Sequence, residues 1–130
     1  CVTKARVLSE VVNESWFKGL VQSADRISRI AVSAKHDMPI ESDLIDQEEK
    51  ELHAMYLKTS WAVSDAGNSE DWLAALQALA KLTTPVELFF EKVLVMHYDE
   101  RIKSNRLALL SALDKLYRRV ADFSKVVLQK

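Results

Sequence analysis

Asp99-Glu100-Arg101-Ile102-Lys103-Ser104-Asn105-Arg106-Leu107-Ala108-Leu109-Leu110-Ser111-Ala112-Leu113-Asp114-Lys115-Leu116-Tyr117-Arg118-Arg119-Val120 reads as one long amphipathic helix, running from about Glu100 and capped by Asp99. At about 100° per residue, Ile102, Leu109, Leu110, Leu113, Leu116, Tyr117 and Val120 gather on one side as a core stripe. Arg101, Ser104, Ala108, Ser111, Lys115, Arg118 and Arg119 fall on the opposite side, a flank of long cations and small residues almost free of acids. Cations spaced this way can each neutralise a phosphate while the small residues let RNA come close. An ordinary solvated face gives the same pattern. Arg106 lies inside the apolar stripe, where a charge needs a carboxylate or carbonyl partner, so its expected role is structural, bridging to the preceding helix. Asn105, at the edge of the stripe, is placed to hold a loop or to read a base.

Upstream, Thr84-Pro85-Val86-Glu87 carries a helix start: a hydroxyl cap, proline at the first helical position and a glutamate reaching back. The buried face of that helix is Val86, Phe89, Phe90 and Val93, with Met96 near its end. Before it, Asn68 or Ser69 is expected to cap a helix whose Trp72, Leu73, Leu76, Leu79 and Leu82 repeat every three or four residues. Asp46 and Glu49 have capping-box spacing at the head of another, with Leu52, Met55, Tyr56 and Val63 as its stripe and Gly67-Asn68 as its end. Lys35 to Asp43, containing Asp37-Met38-Pro39, loses the period and reads as a connector. The apolar pattern from Val7 to Ala31 is one helix or two joined near Asn13. The expectation is an all-α bundle of about five helices, one domain spanning 1–130.

Composition agrees: 48% of the 130 residues are hydrophobic, while two glycines and two prolines are too few for a fold of many tight turns. The net charge of -1 argues against gripping nucleic acid by bulk charge. The charges are nonetheless segregated, with balances of +3 over 1–36, -8 over 37–71 and +4 over 72–130. A single cysteine, Cys1, excludes a disulfide within the chain and suggests a reducing compartment. A chain opening on cysteine also suggests a fragment, expected to be the C-terminal part of a larger protein. No stretch approaches 18 consecutive apolar residues, so membrane and export readings drop out.

The inventory for catalysis is poor. His36, His53 and His97 are far apart, no glycine-rich phosphate loop occurs, and the carboxylates Glu48, Glu49 and Glu51 point to different sides of a helix. No catalytic residue, metal site or cofactor is expected in the chain itself. The candidate RNA-binding residues are Arg101, Ser104, Asn105, Lys115, Arg118 and Arg119. Arg26 and Arg29, which share a polar side with Lys18 and Gln22, join them if their helix packs beside the last one. Tyr98, beside His97 in the turn before that helix, is the candidate for stacking on an unpaired base. Arg106, Phe89 and Phe90 are expected to be structural.

The run Pro85-Val86-Glu87-Leu88-Phe89-Phe90-Glu91-Lys92-Val93-Leu94-Val95-Met96, then Arg101-Ile102-Lys103-Ser104-Asn105-Arg106-Leu107-Ala108-Leu109-Leu110, then Ala121-Asp122-Phe123-Ser124, resembles the C-terminal end of the β subunit of bacterial and organellar glycyl-tRNA synthetase. Ala24-Asp25-Arg26-Ile27-Ser28-Arg29-Ile30 is more weakly similar, and Thr59 to Ala80 carries little signal. The resemblance implies a helical DALR-type anticodon-binding domain of the kind shared with arginyl-tRNA synthetase. It implies an enzyme that joins glycine to its tRNA with ATP and magnesium, and an α subunit, separate or fused, that holds the aminoacylation site. It further implies tRNA rather than DNA or membrane as partner, in a bacterial cytoplasm, chloroplast or mitochondrion. Glu91, Lys103, His97-Tyr98 and the tail from Lys125 to Lys130 depart from the family pattern. The competing reading is a helical protein-interaction domain that docks another subunit through the acidic helix or an exposed apolar face.

Overall fold

A computed structural model describes residues 4–35, 38–69 and 71–120. Cys1, His36, Asp37, the Ala121-Asp122-Phe123-Ser124 segment and the tail from Lys125 to Lys130 lie outside the described residues. The elements are α1 (Lys4–Val11), α2 (Ser15–Ala31), a short 3-10 turn (Glu41–Asp43), α3 (Gln47–Asn68), α4 (Trp72–Ala80), α5 (Thr83–Lys92) and α6 (Glu100–Val120), with no strand among the described residues. The N-terminal pattern is thus two helices. They part where the Glu14 amide bonds back to the Val11 carbonyl at 2.8 Å, beside Asn13.

Two helix starts differ from the sequence expectation. Asp71, not Asn68 or Ser69, caps α4 by accepting from the Ala74 amide at 3.1 Å, because α3 runs on through Gly67 and Asn68. Helix α5 begins at Thr83 rather than after a Thr84 cap, its first turn closed by Val86 N to Leu82 O at 2.9 Å. Pro85 then stands third in the helix, where its missing N–H is still one of the amides without an intrahelical partner. Asp99 does cap α6, accepting from the Arg101 amide at 2.9 Å. Glu49 reaches back to the Asp46 amide at 3.2 Å, and with the Asp46 side chain toward the Glu49 amide it forms the expected capping box.

Trp72–Lys92 has the length and mean hydropathy of a membrane span, but it breaks at Lys81–Leu82 into two helices. At 1.5 Å per residue each is roughly 15 Å long, about half a bilayer's hydrocarbon thickness. Both instead contribute to a shared core. Phe17, Leu20, Ile27, Leu52, Leu76, Leu79, Leu82, Phe89, Leu109, Leu110 and Leu113 form one buried cluster drawn from α2 to α6. Met96 is not part of it: α5 ends at Lys92, Val93 is the last buried residue of that face, and Met96 stands exposed in the connector.

Helix α6 is the spine. Every residue from Asn105 to Leu113 is buried, so this stretch is enclosed on all sides rather than along one stripe. Its most extensive helix neighbour is α2, whose C-terminal end lies toward the N-terminal half of α6, where Ser33 and Lys35 share a cleft with Glu100, Lys103 and Ser104.

Candidate RNA-binding surface

The cationic flank read from the helical wheel is not one continuous exposed face. Ala108 and Ser111, in its middle, are buried, because small side chains admit neighbouring protein as readily as they would admit RNA. What remains is Arg101 at one end and Lys115, Arg118 and Arg119 at the other, separated by roughly 20–25 Å of helix. The two C-terminal arginines diverge. Arg118 bonds Asp114 at 3.1 Å and reaches Ser28 of α2 at 3.0 Å, while Arg119 reaches Ser64 of α3 at 2.8 Å. Lys115 is exposed between them.

The two arginines of α2 have partners of their own. Arg26 lies over the Phe90 ring of α5, 3.9 Å from its centroid, and Arg29 pairs with Asp25 on its own helix at 2.8 Å. Phe89 is buried and meets half-buried Phe90 edge-on, so this aromatic pair anchors α5 and offers a platform to Arg26.

Asn105, whose position suited it to hold a loop or to read a base, does hold a loop. Only 5% exposed, it accepts from the Ile40 amide at 2.6 Å and donates to the Ile40 carbonyl at 3.2 Å, clamping the 38–46 connector onto α6. One turn earlier, Arg101 makes a two-point bond to Asp43, Nε to Oδ2 at 3.0 Å and Nη2 to Oδ1 at 2.6 Å. That hydrogen bond, with the attraction of the carboxylate, raises the Arg101 pKa further above its ordinary value. Ser104, half-buried, lines the wall between them.

Arg106 is structural, but its partners lie farther off than the preceding helix. It is buried, donates from Nε and Nη2 to Glu49 at 3.1 and 2.8 Å and from Nη2 to Asp46 at 3.1 Å, and also donates to the Leu94 carbonyl. A guanidinium suits this task because its planar fork reaches several acceptors at once. It ties the head of α3 to the connector after α5.

Arg101, Asn105 and Arg106 therefore draw two connectors, 38–46 and 93–99, to one end of the bundle. Met38, Ile40 and Ile45 of the first, and Leu94, Met96 and Tyr98 of the second, are each more than half exposed. Tyr98, 91% exposed, stacks on His97 with ring centroids 4.3 Å apart. His97 Nδ1 accepts from the Asp99 amide at 3.0 Å, which fixes the ring beside the start of α6. Between the first connector and α6 lies a cleft of about 360 Å³ lined by Met38, Ile40, Asp43, Arg101, Ser104, Asn105 and Ala108. Among the described residues, no three His, Cys, Asp or Glu side chains converge into a metal-sized group.

The family described as DALR anticodon binding domain matches residues 20–127. The chain belongs to that family. It is also similar to the glycine–tRNA ligase beta subunit of Geobacter sp. strain M21, 40% identical over 124 residues, which cover 95% of this chain and 18% of that protein. The beta subunit of Citrifermentans bemidjiense is likewise 40% identical over 124 residues, with the same coverage of both chains. That of Syntrophus aciditrophicus is 45% identical over 80 residues, 62% of this chain and 12% of its own length. The chain thus spans less than a fifth of the length of these relatives.

In this DALR domain Met38, Ile40, Ile45, Leu94, Met96 and Tyr98 stand exposed on two connectors, while Lys115, Arg118 and Arg119 sit on the last turns of α6. Rings and thioethers on loops can stack on unpaired bases, and cations at their flanks can meet phosphates. Tyr98 stands exposed in the turn where the sequence put it, and Met38, Ile40, Ile45 and Leu94, which the sequence reading did not single out, stand exposed on the same connectors. Their signal was present: apolar residues in a segment with no helical period have no stripe to join.

Proposed function

We propose that this chain is the anticodon-binding domain of a glycine–tRNA ligase β subunit, a single helical module of a longer protein, which grips the anticodon stem-loop of glycine tRNA. The supporting observation is the likeness to such β subunits across almost the whole chain. The domain contributes binding rather than bond-making. Energy gained at the anticodon end presents the distant acceptor end to an aminoacylation site on an α subunit or α region, where glycine, ATP and magnesium are used. The setting is a bacterial cytoplasm, or an organelle. Within the domain, the loop end takes unpaired bases, and Lys115, Arg118 and Arg119 lie where they can meet the backbone of the stem.

The test is a salt titration of glycine tRNA binding by the full-length protein. Replacing Lys115 or Arg119 by alanine is expected to lower the slope of log K against log salt by about one unit each. Slopes equal to that of the unaltered protein contradict a phosphate role for these residues.

A second reading has its own observation: Trp61 is 76% exposed on α3, with Leu57 one turn before it also exposed. An apolar face of this kind suits docking of another part of the ligase. Trp61→Ala that weakens association of α with β while leaving tRNA affinity intact favours that role for α3.

A further inference from the structure

We propose that the cleft between the 38–43 connector and α6 receives one unstacked nucleobase of the bound RNA, an inference that rests on the tRNA reading above. Its volume of about 360 Å³ falls at the lower end of the roughly 300–1,000 Å³ usual for small-molecule pockets, which suits a single ring system. The neighbouring cleft, lined by Met96, Lys103 and Leu107, is about 190 Å³ and falls below that range.

The walls match a base on its faces and on its edge. Met38, Ile40 and Ala108 offer apolar surface to the ring faces. Arg101 spends two N–H groups on Asp43 and keeps three, while each Asp43 oxygen keeps a lone pair, so donor and acceptor stand side by side. Asn105 spends one amide N–H on Ile40 and keeps the other, and the Ser104 hydroxyl has no hydrogen-bond partner among the described residues. A carboxylate wants an amino donor, and a guanidinium wants a ring nitrogen or carbonyl. Cytosine, adenine and guanine present that pairing through an exocyclic amino group, and uracil through its N3–H beside a carbonyl. The Asp43 carboxylate also disfavours a phosphate in the same place.

The cleft is held open before any ligand arrives. Asn105 fixes Ile40 and Arg101 fixes Asp43, so the connector that forms its outer wall is tied to α6 at two points. Pre-ordered walls spare the entropy of closing a loop around the base.

The experiment uses the full-length protein and glycine tRNA carrying 2-aminopurine at each unpaired anticodon-loop position in turn, read by fluorescence and by Kd. Unstacking brightens 2-aminopurine, so one position is expected to brighten on binding. Ser104→Phe, which fills the cleft, should abolish that change and raise Kd about tenfold or more, the loss of one held base. Met38→Glu, at the exposed rim where folding is not at stake, should do the same by adding a second carboxylate. If both variants keep the fluorescence change and bind within twofold of the unaltered protein, the cleft proposal is overturned. If the unaltered protein fails to bind glycine tRNA even at low salt, the tRNA reading falls and the cleft with it.

Discussion

Arg106 shows how much one residue can be read for. Its place within an apolar stripe marked it as a buried charge in need of acceptors, and the structure supplies Glu49, Asp46 and the Leu94 carbonyl. Those partners were illegible because they lie 57, 60 and 12 residues away, and no periodicity links such positions. Arg106→Ala would leave buried Glu49 without its counter-ion, and we expect a loss of about 3–5 kcal/mol in urea unfolding. A change below about 1 kcal/mol would mean that water takes over the guanidinium's work. Tyr117 offers a test in pH. Burial pushes its hydroxyl pKa well above the ordinary 10.0, so it stays neutral in the folded chain where an unfolded chain would ionise. The unfolded state then loses protons that the folded state keeps, and stability should fall as pH rises above about 10. Tyr117→Phe should flatten that decline in thermal melts from pH 8 to 11; an unchanged decline would assign it to other groups.

At the scale of elements, the helices were legible and their edges less so. Strong stripes in α4 and α6 and the cap at Asp99 follow from local spacing, which the chain carries with it wherever it packs. The start of α5 was misread because Thr84-Pro85 has the form of a cap, whereas the helix begins at Thr83 behind buried Leu82, which makes no side-chain cap. The larger error concerned the flank of α6. Alanine and serine at 108 and 111 are compatible with a surface or with a close helix contact, and only packing decides. Ser111→Arg separates the two: on a solvated or RNA-facing surface it would be neutral or would tighten RNA binding. On the buried face seen here, it should destabilise by about 2 kcal/mol or more in thermal or urea unfolding.

Over the whole molecule, the segregated charges acquire a meaning that the net charge of -1 concealed. Part of the acidic middle segment is spent inside the protein: Asp43, Asp46 and Glu49 engage Arg101 and Arg106. The same bonds gather the two connectors at one end, where Tyr98 and its apolar neighbours stand in solvent. Sequence spacing could nominate Tyr98, yet it could not bring together segments more than fifty residues apart. Tyr98→Ala is expected to weaken binding of glycine tRNA by about 1–3 kcal/mol, as loss of one stacked base does, without shifting the melting temperature. Most direct of all is a photo-crosslink from benzoylphenylalanine in place of Tyr98 in the full-length protein, with the same group in place of Trp61 as the comparison. Position 98 is expected to crosslink to unpaired nucleotides of the anticodon loop and position 61 not to reach that loop; crosslinks from 98 to the acceptor stem, or to the loop only from 61, would contradict the placement of the anticodon at this end of the bundle.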